Sequence, residues 1–493
     1  MKPTTSAEIF SKRRAGVLLH PTSLPGAPDG GSFGIDAVQF LDFLASAGFS
    51  VWQMLPLGPT HTDGSPYQCQ SVHAGDERLI DLQALRDAGW LDDRAVSRAA
   101  QGARAQCLVA AYGGFQRAAS EEQRRAFAGF VKRQRFWLED YALYRALRAR
   151  FEGRPWYEWP EALRDRDPVA LAAENRNLAA SIDQVRFEQF LFSMQWQTLR
   201  EQARQRGILL FGDMPIFVAH DSADVWAHRE WFWIDAQGQP TVVAGVPPDY
   251  FSATGQRWGN PLYRWDALAA DGYRWWIERL ESQLTMFDLL RIDHFRGFEA
   301  YWEIAAAEPT AINGRWVPGP RAAFFEALAT RFKSLPLVAE DLGVITPAVT
   351  ELRDTFGFPG MKILQFAFDG GPANPYLPHN HRTRAVVYTG THDNDTILGW
   401  YADLSDPQKA RVREYFGQTS EKMPWLLIRA AFASVACMSI VPLQDLLELD
   451  GEHRMNTPGT TAGNWRWRFE WSQIPADLAS KLRGWNRMYG RCE

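Results

Sequence analysis

Aspartate, glutamate and histidine recur in this sequence at the points where apolar runs end: Asp213, Asp293, His294, Glu340, Asp341, His392 and Asp393. The densest case is FDLLRIDH (287–294), where Arg291 precedes Asp293 by two positions. In a strand those two side chains leave the same face, while Leu290 and Ile292 leave the other. A guanidinium beside a carboxylate favours the charged form, which is the form a carboxylate nucleophile needs. The same pattern also describes a buried structural ion pair. Carboxylates and imidazoles gathered from several strand ends suit two chemistries. One is a metal site; the other is glycosyl transfer by a pair of carboxyl groups. No HExxH or EF-hand spacing supports the first. His379 and His381, close together after Pro378, read as exposed or capping residues rather than ligands.

For these groups to meet, the runs that carry them must be parallel. GVLLHP (16–21) and SVWQMLPL (50–57) read as strands on either side of a helix at 36–47, which makes a βαβ unit. Further apolar runs ending in polar residues lie at 208–213, 287–293, 335–341, 361–366, 385–391 and 439–443. Eight strands separated mostly by helical sequence predict an α/β fold, the (β/α)8 TIM barrel, whose catalytic groups stand at the C-terminal strand ends. An open doubly wound sheet is the alternative, but no glycine-rich phosphate turn follows the first strand. From about 58 to 200 the strand rhythm stops. A polar loop gives way to Arg- and Ala-rich helical sequence, including 137–151 and 187–199. That stretch is expected to be an inserted helical subdomain of one catalytic domain spanning 1–493.

A chain of 493 residues exceeds a usual single core, so a decorated domain or several domains are expected. With 46% hydrophobic and 23% charged residues it has the composition of a soluble globular protein. A net charge of −5 argues against a nucleic-acid partner. The 21 Trp and 14 Tyr offer flat apolar faces with a polar edge, suited to sugar rings and equally to cores. Cys69, Cys107, Cys437 and Cys492 form no CxxC pair, so neither a metal cluster nor a disulfide framework is expected. The N-terminus lacks an apolar signal segment, and no apolar run approaches membrane-spanning length. These features predict a cytoplasmic protein with no membrane partner.

Ten ordered motifs resemble the 4-α-glucanotransferases (amylomaltases and disproportionating enzymes, glycoside hydrolase family 77). They are GVLLHPTSLPG (16–26), WQMLPLGPT (52–60), SPYQ (65–68), GDMPIFVA (212–219), GVPPDYFSATGQRWGNPLY (245–263), LLRIDHFRGFEAYWEI (289–304), AEDLGVITP (339–347), PGMKILQFAFD (359–369), YTGTHDNDT (388–396), and RMNTPGT with GNW (454–465). The resemblance runs from about residue 13 to the C-terminus.

The resemblance implies a retaining transferase acting on α-1,4-glucans and maltooligosaccharides, without a cofactor. It makes Asp293 the nucleophile, Glu340 the general acid/base, and Asp393, rather than Asp395, the third acid at the cleaved bond. Arg291 is implied as the partner of Asp293, His294 and His392 as contacts to donor hydroxyls, and Asp213 as a supporting residue. The stretch 245–263 resembles the family's lid, with Asp249, Tyr250, Phe251, Gln256 and Trp258 on the acceptor side. Tyr67 resembles another substrate-facing aromatic. The family lacks the C-terminal β-domain of α-amylases, and GDMPIFVA lacks the residues of a calcium site, so neither is expected. An amylase-like hydrolase and a catalytically silent glucan binder are the two other readings.

Overall fold

The computed structural model describes residues 6–26, 30–99, 102–248 and 252–493. Its strands, in chain order, are β1 (Arg14–Leu18), β2 (Val51–Gln53), β3 (Leu209–Met214), β4 (Val242–Val246), β5 (Gln256–Pro261), β6 (Leu289–Ile292), β7 (Ala300–Ala305), β8 (Arg315–Pro318), β9 (Leu337–Ala339), β10 (Gly360–Ile363), β11 (Ala385–Tyr388) and β12 (Met438–Pro442). Eight of them close a parallel barrel in the order β1-β12-β11-β10-β9-β6-β3-β2. These are the eight runs read from the sequence, and the fold is the (β/α)8 TIM barrel.

Alternation along each strand divides the core in two. Leu18, Val51, Phe211, Leu289, Val338, Met361, Val386, Met438 and Ile440 form one buried cluster. Their neighbours Val17, Trp52, Leu210, Leu290, Leu337, Val387 and Val441 belong to a larger one shared with the helices. The barrel is tight at Gly16, where a Cβ would stand 2.5 Å from the Val51 carbonyl oxygen and 2.8 Å from Ile440 Cδ1. Only glycine fits there without displacing a strand.

Between β2 and β3 a loop reaches to Asp76, and the described residues beyond it are mostly helical, ending in the 27-residue helix Ala179–Gln205. That helix is tied to the chain between β2 and the first helices through two buried amides. Gln189 donates to the Gly75 carbonyl and accepts from its N–H, both at 2.8 Å. Gln195 makes the same paired contact with Asp81. The chain leaving the SPYQ loop is thereby held at two points by one helix, and that loop carries Tyr67.

The remaining strands form an antiparallel sheet, β5-β4-β7-β8, which the sequence reading did not foresee. The stretch 245–263, read as a loop, has strands at both ends. β5 pairs with β4 at Val246–Gln256 and Gly245–Arg257, and a register shift separates these from Val243–Pro261. Of the two histidines near Pro378, His379 is exposed as expected. His381 is instead buried, with its ring nitrogens on Ser434 Oγ (2.7 Å) and the Tyr376 carbonyl (2.9 Å). Among the described residues, no helix is long and apolar enough to cross a membrane.

Candidate active site

The register of the barrel decides which charges meet. β3 and β6 pair Asp213 with Arg291, so the two side chains are neighbours at one level of the mouth. Arg291 uses both arms of its guanidinium. Nη1 donates to Asp213 Oδ1 and Oδ2 at 2.8 and 2.7 Å, and Nη2 reaches Asp293 Oδ1 at 2.8 Å. Asp213 is fully buried and Asp293 retains 27% side-chain exposure, so the fork joins an interior carboxylate to one facing the opening. Tyr67 closes the inner side, its hydroxyl donating to Asp213 Oδ2 at 2.8 Å. Burial first, then the Asp213 charge, pushes the Tyr67 phenol well above its ordinary value, so it remains a donor.

β6 and β9 pair Ile292 with Ala339, which places Asp293 and Glu340 one residue past a matched pair on adjacent strands. The Glu340 carboxyl is held between two backbone amides. His294 N–H donates to Oε2 at 2.6 Å and Leu342 N–H to Oε1 at 2.9 Å. Burial lifts this carboxyl to about 7; the Arg291 charge opposes the rise, and those of Asp293 and Asp341 add to it. Asp341 leaves the opposite face of the chain. It pairs with Arg353 and accepts from Met361 N–H at 2.7 Å, a structural role outside the mouth.

His294 has left-handed backbone angles, φ 50° and ψ 50°, at a cost of roughly 1–2 kcal/mol for a residue with a Cβ. The turn aims its imidazole at Trp258, edge to face at 4.8 Å. Burial, reinforced by Arg296 and Arg291, lowers its pKa to about 3, so the ring is neutral. Its Nε2 is buried without a hydrogen-bond partner among the described residues. A buried orphan of this kind costs free energy until something bonds to it.

On the far side, after β11, His392 stacks on Tyr67 with centroids 4.9 Å apart. Its Nε2 lies 3.4 Å from Asp393 Oδ1. Burial works against ionisation of His392, but each group is the main electrostatic support of the other. His392 is raised and Asp393 is held well below the usual carboxylate range. Asp395 points away, accepting from Thr396 N–H at 2.7 Å and lying near Arg454.

The structure therefore brings Tyr67, Asp213, Arg291, Asp293, His294, Glu340, His392 and Asp393 to one mouth, with Trp258 at its edge. Gln256 is exposed, and its Oε1 accepts from Trp258 Nε1 at 3.1 Å without touching the carboxylates. Asp249, Tyr250 and Phe251 lie outside the described residues. Three residues at the mouth were not singled out in the sequence reading. Asn456 and Arg454 hold Asp393, and Trp465 leans on Tyr67 and His392 at 6.0 Å. All three lie in the RMNTPGT and GNW motifs, which were the only available signal. Beside Trp465 opens a cleft of about 390 Å³, lined in part by His20, Thr60, Asn464 and Trp467. His20 Nδ1 and Trp467 Nε1 are buried with no partner among the described residues. No cluster of three or more His, Cys, Asp or Glu among the described residues is arranged to hold a metal ion.

The chain resembles known proteins along nearly its whole length. The family model described as 4-alpha-glucanotransferase matches residues 19–473. A 4-alpha-glucanotransferase of Thermus thermophilus is 51% identical, with 96% of this chain and 97% of that protein aligned. One of Synechocystis is 47% identical over 98% and 99%. The amylomaltase from Streptococcus agalactiae, solved in complex with acarbose, superposes with a TM-score of 0.94 at 36% identity, covering 98% of this chain and all of that one. The chain belongs to the 4-alpha-glucanotransferase family, glycoside hydrolase family 77, and is a glucan-transferring enzyme.

Proposed function

We propose that the chain moves α-1,4-glucan segments from a donor to the 4-hydroxyl of glucose or another glucan by a retaining double displacement. The observation that carries this reading is the contrast between Asp293 and Glu340. They end adjacent strands, Asp293 one residue past Ile292 and Glu340 one past its partner Ala339, and a retaining mechanism needs their carboxyl groups about 5–5.5 Å apart. Asp293 faces a guanidinium, whereas Glu340 has its pKa lifted to about 7. One is suited to attack as a carboxylate and the other to give up a proton.

In the first step Asp293 attacks the anomeric carbon. Arg291 occupies Oδ1, so the attacking atom is Oδ2. The glycosidic C–O bond breaks as Glu340 protonates the departing oxygen, leaving a β-glucosyl ester on Asp293. In the second step Glu340, now a carboxylate, takes the proton of the acceptor 4-hydroxyl while that hydroxyl oxygen attacks the same carbon. The ester bond breaks, the α-1,4 link forms, and both side chains return to their starting state. Asp393, His392 and the unpartnered Nε2 of His294 hold the donor sugar's hydroxyls, and the cleft beside Trp465 takes the glucan beyond it. The helical subdomain at 58–200 presents Tyr67. A cytoplasmic setting belongs to the same reading, supported by four free cysteines.

Incubation with maltotriose followed by chromatography of the products tests the transfer. Glucose together with maltopentaose and longer chains is expected; glucose and maltose alone would favour an amylase-like hydrolase, and no products a glucan binder. Because Glu340 must begin protonated, kcat/KM is expected to fall tenfold per pH unit above about 7. A profile flat to pH 9 would remove Glu340 as the acid.

Transfer over hydrolysis needs an oriented acceptor and the exclusion of water. We assign that task to a lid at 245–263, with Trp258 its aromatic face beside His294. Trp258→Ala is expected to slow transfer from maltotriose more than hydrolysis, raising free glucose relative to longer oligomers. Equal loss of both rates would mean that Trp258 only packs the lid onto the rim.

A further inference from the structure

The RMNTPGT and GNW motifs form a single clip over the mouth. Trp465 N–H donates to the Met455 carbonyl at 2.8 Å, and Asn464 Oδ1 accepts from Thr457 N–H at 2.9 Å, so residues 455–465 close on themselves. One end of the clip grips Asp393. Asn456 Nδ2 donates to Asp393 Oδ1 at 2.7 Å, and Arg454 Nη2 donates to the Asp393 carbonyl oxygen at 2.9 Å. Arg454 Nε also donates to the Asn456 carbonyl at 2.7 Å, so the two grips are one unit. The other end seats Trp465, at φ +62°, against the rings of Tyr67 and His392.

Asp393 needs such help. Its side chain is half exposed, in contrast to buried Asp213, and follows a short loop rather than a strand. Its neighbour His392 reaches Oδ1 at 3.4 Å, longer than a good hydrogen bond. The amide of Asn456 makes the short, charge-assisted bond to the same oxygen. That contact fixes the rotamer and leaves Oδ2 directed away from the grip.

We infer that Asn456 and Arg454 are positioning residues that set the Asp393 carboxylate for the sugar, with Asn456 acting through Oδ1. The inference rests on the reading of Asp393 as the third carboxylate. Positioning of this kind acts on the transition state more than on ground-state binding, so its loss shows in kcat.

The test compares N456A, D393A and the double variant on maltotriose, with thermal melting as the control. Asn456 is half-buried at the rim, so truncation opens no core cavity. N456A is expected to lower kcat ten- to a hundredfold, with KM within about threefold and an unchanged melting temperature, as for a lost hydrogen bond to a charged group. In the D393A background the same substitution is expected to change turnover less than twofold. Wild-type-like kcat in N456A beside an inactive D393A would overturn the inference, as would losses that multiply in the double variant. Wild-type-like turnover in D393A would remove the reading of Asp393 itself, and the inference with it.

Discussion

Asp293→Asn and Glu340→Gln are each expected to abolish most glucan transfer while leaving the protein folded. Neither change alters side-chain size, and both positions lie at strand ends outside the barrel core clusters. One positioned acid or base contributes about 10²–10⁴-fold, so E340Q is expected to fall at least about a hundredfold. D293N loses the covalent route altogether. The two losses differ in one respect. A maltosyl fluoride donor departs without protonation, so E340Q is expected to regain its first step with that donor, and D293N is not. Initial rates with maltotriose and with the fluoride read both outcomes. Turnover within about tenfold of wild type, roughly 1.4 kcal/mol of barrier, would overturn the assignment for that residue.

Arg291→Met is expected to cost stability and activity together, because the fork serves two carboxylates. Asp213 has no side-chain exposure, and a buried ion that loses its partner costs about 3–5 kcal/mol. The pH dependence follows from the sign of the shift. Burial already raises the Asp213 carboxyl, and removing the cation raises it further above its unfolded value. A raised carboxyl contributes stability in its protonated form, present at low pH and lost as pH rises through the folded pKa. The deficit of R291M relative to wild type is therefore expected to be larger at pH 8 than at pH 5. Urea unfolding at the two pH values measures it. An equal deficit at both would mean that Arg291 acts through packing rather than charge.

How far the sequence foretold this site depends on how local each signal is. The barrel strands were legible because each couples an apolar run to a polar stop, and a buried parallel strand requires that composition. Arg291 and Asp293 were legible as a pair because two positions along a strand share a face. That Asp213 shares the same guanidinium was not, because the contact depends on the register between β3 and β6. The small antiparallel sheet was missed for a related reason. β5 reads QRWGNP, with exposed polar residues first and turn-forming Gly, Asn and Pro last, and its extended form depends on β4. Asn456 lay in a quoted motif, but nothing in RMNTPGT indicates that its amide meets Asp393.

The seam of the barrel has a consequence for how the chain is made. β1 pairs along its whole length with β12, from Arg14–Met438 to Leu18–Pro442. On a ribosome the first strand therefore waits for nearly all of the remaining chain before its second edge is covered. β2 protects the other edge early, and the helices at 82–205 have time to pack in the interval. An uncovered strand edge is a template for a neighbouring nascent chain, and pairings this distant in sequence form slowly. Slower synthesis, or a chaperone that shields one short strand, is therefore expected to raise the yield of active protein without changing the melting temperature of the closed barrel, and an unchanged yield would mean that the open edge is harmless.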